Sequence, residues 1–266
     1  MVKLEGNWKR NKMRQIYQHN KENTTGISRI EGTDSGKDGQ GNQVDGFQYH
    51  DALWWAGRGS IDTHRPPTLE LEETVRGFEK LFSHIARSLI TQFEPTRVLE
   101  LGCGSGMLSY FLRRHDLGIT TVTVDANQDV HRSPYVDHNH FLARTDEPLD
   151  FRDENNNPFK FDLVVSLEHF EHISEDTFEV LMENIDKHTV PGSNLAFTAA
   201  GWEYDHTEQG HVHCNVKTED EWENYIERYK FKRISVPAYD PVDGKMKEWR
   251  FGRAADTADI FAQKIK

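Results

Sequence analysis

The order of apolar and polar residues indicates a chain that changes character near residue 93. Beyond that point, short apolar runs alternate with stretches whose apolar residues recur every three or four positions. The apolar runs predict strands over 97–101, 120–125, 139–143, 161–166, 194–199, 231–236 and 258–264. The periodic stretches predict helices over 105–114, 175–187 and 218–229. This alternation predicts an α/β fold with a doubly wound, mostly parallel, seven-stranded sheet.

The region before residue 93 predicts an N-terminal extension in two parts. Residues 1–46 are polar and glycine-rich, and we expect a flexible segment there. Residues 47–92 hold an aromatic cluster that includes Trp54 and Trp55, either a cap over the site or an attachment to the core. They also contain an amphipathic pattern from Leu71 to Leu89, which predicts a helix of about 20 residues. The remaining 93–266 form the predicted main domain.

The composition does not indicate a particular function, but it argues against several classes of protein. The 266 residues carry a formal net charge of -12, which argues against a broad electrostatic surface for nucleic acid. Two cysteines with no CxxC pair support neither a disulfide framework nor a zinc ribbon. No apolar run has transmembrane length and no signal peptide is recognisable, so the expectation is a cytoplasmic protein without membrane contact.

The most informative segment is V-L-E-L-G-C-G-S-G at 98–106. An apolar strand ends at Gly102, and two more glycines follow before a predicted helix, which brings bare backbone close to a ligand. A second apolar strand ends at Asp125, whose carboxylate can accept hydrogen bonds from both hydroxyls of a ribose. The two features together predict a nucleoside site.

The glycine spacing decides which nucleoside is expected. Gly-x-Gly-x-Gly differs from the dinucleotide fingerprint of a nicotinamide enzyme, and Glu100 would repel a diphosphate but suits a cationic amino-acid group. The segment resembles the first motif of class I S-adenosylmethionine-dependent methyltransferases. The resemblance implies a Rossmann-like fold, S-adenosylmethionine as cofactor, and contact of Asp146 with the adenine amino group. The cofactor residues that it implies are Glu100, Gly102, Cys103, Gly104, Gly106, Asp125, Ala126, Asp146, Ser166 and Leu167.

A second chemical cluster is predicted after the fourth strand, in F-D-L-V-V-S-L-E-H-F-E-H-I at 161–173. Glu168, Glu171 and His172 have the spacing i, i+3 and i+4, so on a helical turn they share one face. Such a face could hold a divalent cation: oxygen ligands favour Mg²⁺ or Mn²⁺, and imidazole admits Fe, Co or Zn. The loop after the fifth strand is expected to supply a further ligand, because His211 and His213 alternate there.

This pattern carries a second resemblance. Glu-x-x-Glu-His followed by His-x-His resembles the small-RNA 3′-terminal 2′-O-methyltransferases, and ubiquinone-biosynthesis O-methyltransferases share its first part. The resemblance implies that Glu168, Glu171, His172 and His213 bind the metal. The run Cys-Asn-Val after His213 departs from the aromatic-acid-aromatic run of the RNA enzymes. If no metal binds, His172 or His213 is the expected general base, and His169 is a third catalytic candidate.

The expected function is therefore O-methylation of a small molecule or sugar, of the vicinal diol or catechol type, with Mg or Mn as a candidate metal. An ion that chelates two neighbouring oxygens would favour such an acceptor. The alternatives are 2′-O-methylation of an RNA 3′ end, a protein or nitrogen acceptor, and a cofactor-binding subunit without turnover.

Overall fold

The computed structural model describes residues 69–126, 130, 133, 135–153, 155–202, 205–206, 210–211, 213–239, 246–248, 250–251 and 257–266. The predicted segment 1–46 and the aromatic cluster near Trp54 and Trp55 therefore lie outside the described residues. No helix in the part that the structure describes is both long and apolar enough to cross a membrane.

Eleven strands are present in the described part of the chain. In chain order they are β1 (Arg97–Leu101), β2 (Thr120–Asp125), β3 (His140–Leu142), β4 (Leu163–Leu167), β5 (Asn194–Ala200), β6 (Asp205–His206), β7 (Gly210–His211), β8 (Phe231–Arg233), β9 (Pro237–Tyr239), β10 (Met246–Glu248) and β11 (Thr257–Lys264). The helices are α1 (Leu69–Phe93), α2 (Met107–His115), α3 (Glu175–Lys187) and α4 (Glu219–Glu227), with a 3-10 turn at Phe170–His172.

Seven strands form one sheet in the order β3-β2-β1-β4-β5-β11-β8. Neighbours from β3 to β5 run parallel, whereas β11 runs antiparallel to both β5 and β8. The chain passes from β1 to β2 on one side and later adds β4 on the other side of β1. The order of strands therefore reverses at β1, and the carboxyl ends of β1, β2 and β4 border the crevice where α/β sheets bind ligands.

Helices cover both faces of the sheet because successive strand residues point to opposite sides. On one face, Val98 and Val165 pack with α1 and α2, through residues that include Ile85 and Leu108. On the other face, Phe197 and neighbouring strand residues pack with α3 and α4. The predicted doubly wound, mostly parallel seven-stranded fold is confirmed.

The element boundaries agree closely with the sequence pattern and differ where local geometry intervenes. Strands 97–101 and 120–125 and helix 175–187 are found at the predicted residues. Helix α2 begins at Met107 rather than at residue 105, because Gly106 has φ 76° and cannot continue a right-handed helix. The paired short strands β6–β7 and β9–β10 were not predicted.

Candidate active site

The glycine loop connects β1 to α2 at the crevice. All three of its glycines have positive φ, 64° at Gly102, 50° at Gly104 and 76° at Gly106. Residues other than glycine rarely adopt this backbone conformation. The backbone N–H groups of Gly102 and Cys103 donate to the carbonyl of Val124 at 2.9 and 3.1 Å. The loop is thus held against the end of β2, with its backbone free of side chains.

Two of these glycines have no room for a side chain. A Cβ atom at Gly102 would lie 2.3 Å from Cγ of His169, and one at Gly106 would lie 2.5 Å from Cγ1 of Val136. Both distances are far below van der Waals contact. The sequence therefore needs glycine here for two reasons, backbone conformation and close packing, and the result is a fixed concave backbone beside the crevice.

Asp125 ends β2 and faces the glycine loop. Its half-buried carboxylate accepts a hydrogen bond through Oδ2 from the N–H of Gly104 at 2.8 Å. The buried residue Ala126 follows. This bond fixes the carboxylate at the crevice, next to the residues that the sequence assigned to the cofactor. Its contact with the ribose stays a prediction.

Glu100 is buried, and its carboxylate accepts hydrogen bonds from the first turn of α2. Its Oε2 accepts hydrogen bonds from the backbone N–H of Ser109 at 3.1 Å and from the Ser109 hydroxyl. Burial raises the pKa of Glu100 to about 7, and the two bonds from Ser109 oppose that rise. The predicted contact with a cationic amino group stays a prediction, whereas the contact that the structure records is with the first turn of α2.

We expect the ionisation of Glu100 to lower the stability of the fold as the pH rises. An unfolded chain releases this proton near pH 4.5, whereas the folded chain keeps it until about pH 7. Between these values the folded state binds more protons, so the free energy of unfolding falls with increasing pH. Glu100→Gln removes this titrating group, and with it a fall in the free energy of unfolding of about 3 kcal/mol between acid and alkaline pH. Urea unfolding at about pH 4.5 and about pH 8 measures it.

The comparison between wild type and variant is needed because other buried groups also titrate. Asp259, with a pKa raised to about 6, adds a slope of the same sign, and His169 and His188, lowered to about 4, add slopes of the opposite sign. The exposed residue Glu183 provides the control, since Glu183→Gln should leave the slope unchanged. A Glu100→Gln protein with the slope of wild type would contradict the expectation.

Asp146 lies after β3 and is buried. Its carboxylate accepts hydrogen bonds from Nε and Nη2 of Arg144 at 2.9 and 2.7 Å, and from the Thr177 hydroxyl at 3.1 Å. Both carboxylate oxygens are thus already engaged by the chain itself. The predicted contact of Asp146 with adenine stays a prediction.

The end of β4 lies directly beneath the glycine loop. The hydroxyl of Ser166 donates to the carbonyl of Leu101 at 3.0 Å, and Leu167 is buried next to it. The ring of His169 packs on the first loop glycine, with Nε2 2.8 Å from Oγ1 of Thr145. Burial lowers the pKa of His169 to about 4, so the ring is uncharged at neutral pH and a weak base. Its catalytic role stays a prediction, and the recorded contact is one of packing.

Three of the predicted metal ligands come together. One ligand atom from each of Glu171, His172 and His213 lies within 4.8 Å of the others. Glu171 is fully buried and accepts a hydrogen bond through Oε1 from the N–H of Ala200 at 3.1 Å. The His172 and His213 rings meet edge to face, with centroids 5.0 Å apart. One carboxylate and two imidazoles therefore converge at the carboxyl ends of β4 and β5.

Backbone hydrogen bonds join the two segments that carry this cluster. The N–H groups of Cys214 and Asn215 both donate to the carbonyl of Glu171, at 2.8 and 3.0 Å. Nδ1 of His213 donates to the carbonyl of Trp202 at 2.8 Å. Because a neutral imidazole has one N–H, this bond leaves the lone pair on Nε2 of His213.

Glu168, the fourth predicted ligand, lies outside the group of three. Its φ of 50° is left-handed, and its N–H donates to the carbonyl and Oγ1 of Thr198 at 3.1 and 2.9 Å. The expected helical face shared by Glu168, Glu171 and His172 does not form, because the 3-10 turn begins only at Phe170. Within the described residues, Oε1 of Glu168 is buried and has no hydrogen-bond partner.

The sequence matches the family described as "Methyltransferase domain" over residues 75–236, more than half of the chain. The chain belongs to this family. The match includes the glycine loop, Asp125 and the cluster of Glu171, His172 and His213. The predicted fold and the predicted cofactor, S-adenosylmethionine, are confirmed at the level of the family.

Individual relatives of this methyltransferase domain are distant. The cyclopropane-fatty-acyl-phospholipid synthase of Escherichia coli K12 is 23% identical over 233 residues, covering 84% of this chain and 52% of that protein. The chain thus spans about half the length of the curated relatives that it matches. Neither the substrate nor the reaction of the synthase is carried over to this chain.

The similarity to solved structures concerns the fold alone. A complex of the Haloferax volcanii Trm112 methyltransferase activator and a methyltransferase gives a TM-score of 0.50 at 19% identity, covering 72% of this chain and 93% of that one. The Burkholderia thailandensis 1,6-didemethyltoxoflavin-N1-methyltransferase, solved with S-adenosylhomocysteine, gives 0.48 at 18% identity, covering 73% of this chain and 83% of that one.

The methyltransferase domain also has polar residues at this edge that the sequence did not single out. Thr257 and Asp259 lie at the start of β11 and are buried, and so is the side-chain amide of Asn215. An open cleft of about 410 Å³ lies between the end of β5, the segment before α4 and Thr257. The antiparallel pairing of β11 with β5 brings Thr257 and Asp259 to the site, and no local motif indicates that pairing.

Proposed function

We propose that this chain transfers a methyl group from S-adenosylmethionine to a hydroxyl of a small molecule or sugar, of the vicinal diol or catechol type. We further propose that Glu171, His172 and His213 hold a divalent ion beside the acceptor. The observation that carries the proposal is the convergence of three ligand atoms within 4.8 Å of one another, at the sheet edge next to the glycine loop.

The donor set fits a divalent ion of intermediate softness. One carboxylate with two imidazoles suits Mn, Fe, Co or Zn better than Mg²⁺, which prefers oxygen ligands. The carbonyl of Trp202 orients the His213 ring from behind, as outer hydrogen bonds commonly do for metal-binding histidines. The Glu171 carboxylate is buried beside two imidazoles. Because a buried negative charge needs a compensating positive one, this position suits a bound cation.

The cluster gives the chain a way to handle the acceptor hydroxyl. In the reaction the bond from sulfur to the methyl carbon breaks, a bond from oxygen to that carbon forms, and the hydroxyl proton is lost. A bound ion would lower the pKa of a hydroxyl coordinated to it. With the ion bound, the lone pairs of His172 and His213 would be ligands, and the acidified hydroxyl would release its proton to water; with no ion bound, His172 or His213 would accept the proton.

Cofactor binding is proposed for the glycine loop and Asp125. Because a charge-assisted hydrogen bond to a ribose hydroxyl would be lost or weakened, we expect Asp125→Asn to lower the affinity for S-adenosylhomocysteine about tenfold. Fluorescence competition or calorimetry measures the dissociation constant. Asp176→Asn, at an exposed residue of α3, is the matched control and should bind as wild type does. Equal affinities of the Asp125 and Asp176 variants would argue against the ribose contact.

The reaction itself is tested by product analysis. We would incubate the protein with S-adenosylmethionine and a panel of catechols and sugars, with and without Mn²⁺, and identify the methylated atom by mass spectrometry and NMR. The proposal expects an O-methyl product whose formation needs the ion. Methylation at nitrogen or carbon, or turnover indifferent to a chelator, would contradict it.

A further inference from the structure

The buried side-chain oxygens that have no hydrogen-bond partner in the described residues include three beside the cluster. They are Oε1 of Glu168, Oγ1 of Thr257 and Oδ1 of Asp259, and none has a partner in the described part of the chain. Thr257 is 3% exposed and Asp259 6% exposed, so water does not readily satisfy them. Buried polar groups are nearly always paired, and three unpaired oxygens in one region indicate a missing donor.

The strand register brings these oxygens to one part of the sheet edge. Asp259 lies directly opposite Thr198 in the pairing of β11 with β5, so the two side chains share a face. Oγ1 of Thr198 accepts the N–H of Glu168 at 2.9 Å. Thr257 precedes Asp259 by two positions and therefore points to the same face of β11. The three residues form a row across β4, β5 and β11.

This row, the residues Glu168, Thr257 and Asp259, adjoins the proposed acceptor site. Thr257 lies opposite Ala200, whose N–H donates to Glu171 of the metal-ligand cluster. Thr257 also lines the open cleft, together with Gly201 at the end of β5. Thr257 therefore lies between the open cleft and the end of β5 that contacts the cluster.

The cations near the row in the described part of the chain already have carboxylate partners. Arg250 lies 2.9 Å from Glu219, which also binds Arg233 at 2.8 Å, and Lys217 binds Glu175 at 2.9 Å. These two cations, Arg250 and Lys217, line the cleft beside Glu219 and Glu221.

Among the described residues, Asp259 has a distant cation as its ion-pair partner. Its Oδ2 is 3.9 Å from Arg250, at the limit of an ion pair. Burial raises the pKa of Asp259 to about 6; Arg250 and the N–H of Phe251 oppose the rise, and Glu219 and Glu168 add to it. A cation bound at the row would therefore stabilise the negative charge of Asp259 and reduce its repulsion with Glu219 and Glu168.

The backbone at Glu168 supports a binding role for this side chain. A φ of 50° is unfavourable for a residue with a Cβ, and here two hydrogen bonds from its N–H to Thr198 maintain it. Glu168 is not one of the three residues whose ligand atoms lie within 4.8 Å of one another in the metal-ligand cluster.

We propose that Glu168, Thr257 and Asp259 bind a protonated amine of the acceptor molecule. Ionised carboxylates only accept hydrogen bonds and a threonine hydroxyl also can, whereas an ammonium group has donors only and carries the opposite charge. The inference rests on the proposed function, since it concerns the molecule whose hydroxyl is methylated. The acceptor is then an amino alcohol or aminated catechol rather than a neutral diol.

Binding of two matched probes tests the inference without turnover and without metal. 2-Phenylethylamine carries the amine, 2-phenylethanol is its neutral counterpart, and neither has a diol. Titrated into metal-free protein loaded with S-adenosylhomocysteine and followed by protein NMR shifts, the amine should bind about tenfold more tightly than the alcohol. In Glu168→Gln and in Asp259→Asn the preference for the amine should shrink, because each substitution removes one of the two charges while keeping the shape of the side chain, and in the double variant the two probes should bind alike.

The controls separate this site from general charge attraction. Glu183→Gln removes one exposed acid on α3 and should keep the preference for the amine. Thr257→Val, which removes only the hydroxyl, should weaken amine binding. Equal binding of the two probes to wild type, or a preference that survives both acidic substitutions, would overturn the proposal. Neither probe requires the metal-ligand cluster, so failure of the proposed O-methylation would leave this result readable.

Discussion

Replacing Gly102 with alanine is expected to weaken S-adenosylhomocysteine binding by about a hundredfold. The added Cβ would lie 2.3 Å from Cγ of His169, in a residue whose φ of 64° is already unfavourable for alanine. Strain and overpacking together amount to about 3 kcal/mol, so the loop must move away from its present position. Calorimetric titration of the ligand into both proteins measures the change.

Two further variants separate the close packing from a general effect of the substitution. Gly77 lies in α1, and a Cβ there meets nothing within 4 Å, so Gly77→Ala should bind normally and gain up to about 1 kcal/mol of stability. Adding His169→Gly to Gly102→Ala removes the ring in contact and should restore part of the affinity. Normal affinity in the single Gly102→Ala protein would show that the glycine loop does not hold the cofactor.

Removing the imidazole of His213 is expected to reduce Mn²⁺ affinity by about a hundredfold or more, because one of three converging ligands is lost. Glu171→Gln should have a similar effect, since an amide is a poorer ligand than a carboxylate. The measurement is calorimetry of Mn²⁺ added to chelator-treated protein loaded with S-adenosylhomocysteine. Wild type should bind one ion.

His138→Ala provides the control for this experiment, since His138 is an exposed histidine outside the cluster. It should bind Mn²⁺ as wild type does. If wild type gives no heat, or if His213→Ala and Glu171→Gln bind as tightly as His138→Ala, the cluster is not a metal site. The two imidazoles would then be left with the general-base role that the sequence also allowed.

The part of the fold that the sequence predicts best is the part with the simplest local cause. β1 and β2 are short, mostly buried runs rich in Val, Leu and Thr that end at a glycine loop and at Asp125, so both limits are marked by residue type. The helix 175–187 has an apolar face with helical spacing and ends at Lys187, directly before His188. In each case the residues that set the boundary are neighbours in the chain.

The site was only partly predictable because its remaining contacts are not local. Spacing alone gave Glu168 the same helical face as Glu171, but hydrogen bonds to Thr198 on β5 hold its backbone in a left-handed conformation. Thr257 and Asp259 reach the site through antiparallel pairing with β5, across more than 50 residues of chain. His213 was predicted because it belongs to a recognisable pattern, whereas these residues belong to none.

A crystal structure of the protein grown with S-adenosylhomocysteine and Mn²⁺, with anomalous data collected at the manganese edge, tests the account most directly. We expect the ligand along the glycine loop, with its ribose at Asp125, and an anomalous peak bounded by Glu171, His172 and His213. A ligand bound elsewhere would contradict the cofactor site. A ligand at the loop without a peak in the cluster would contradict the metal site. His172 or His213 would then be the general base that accepts the hydroxyl proton.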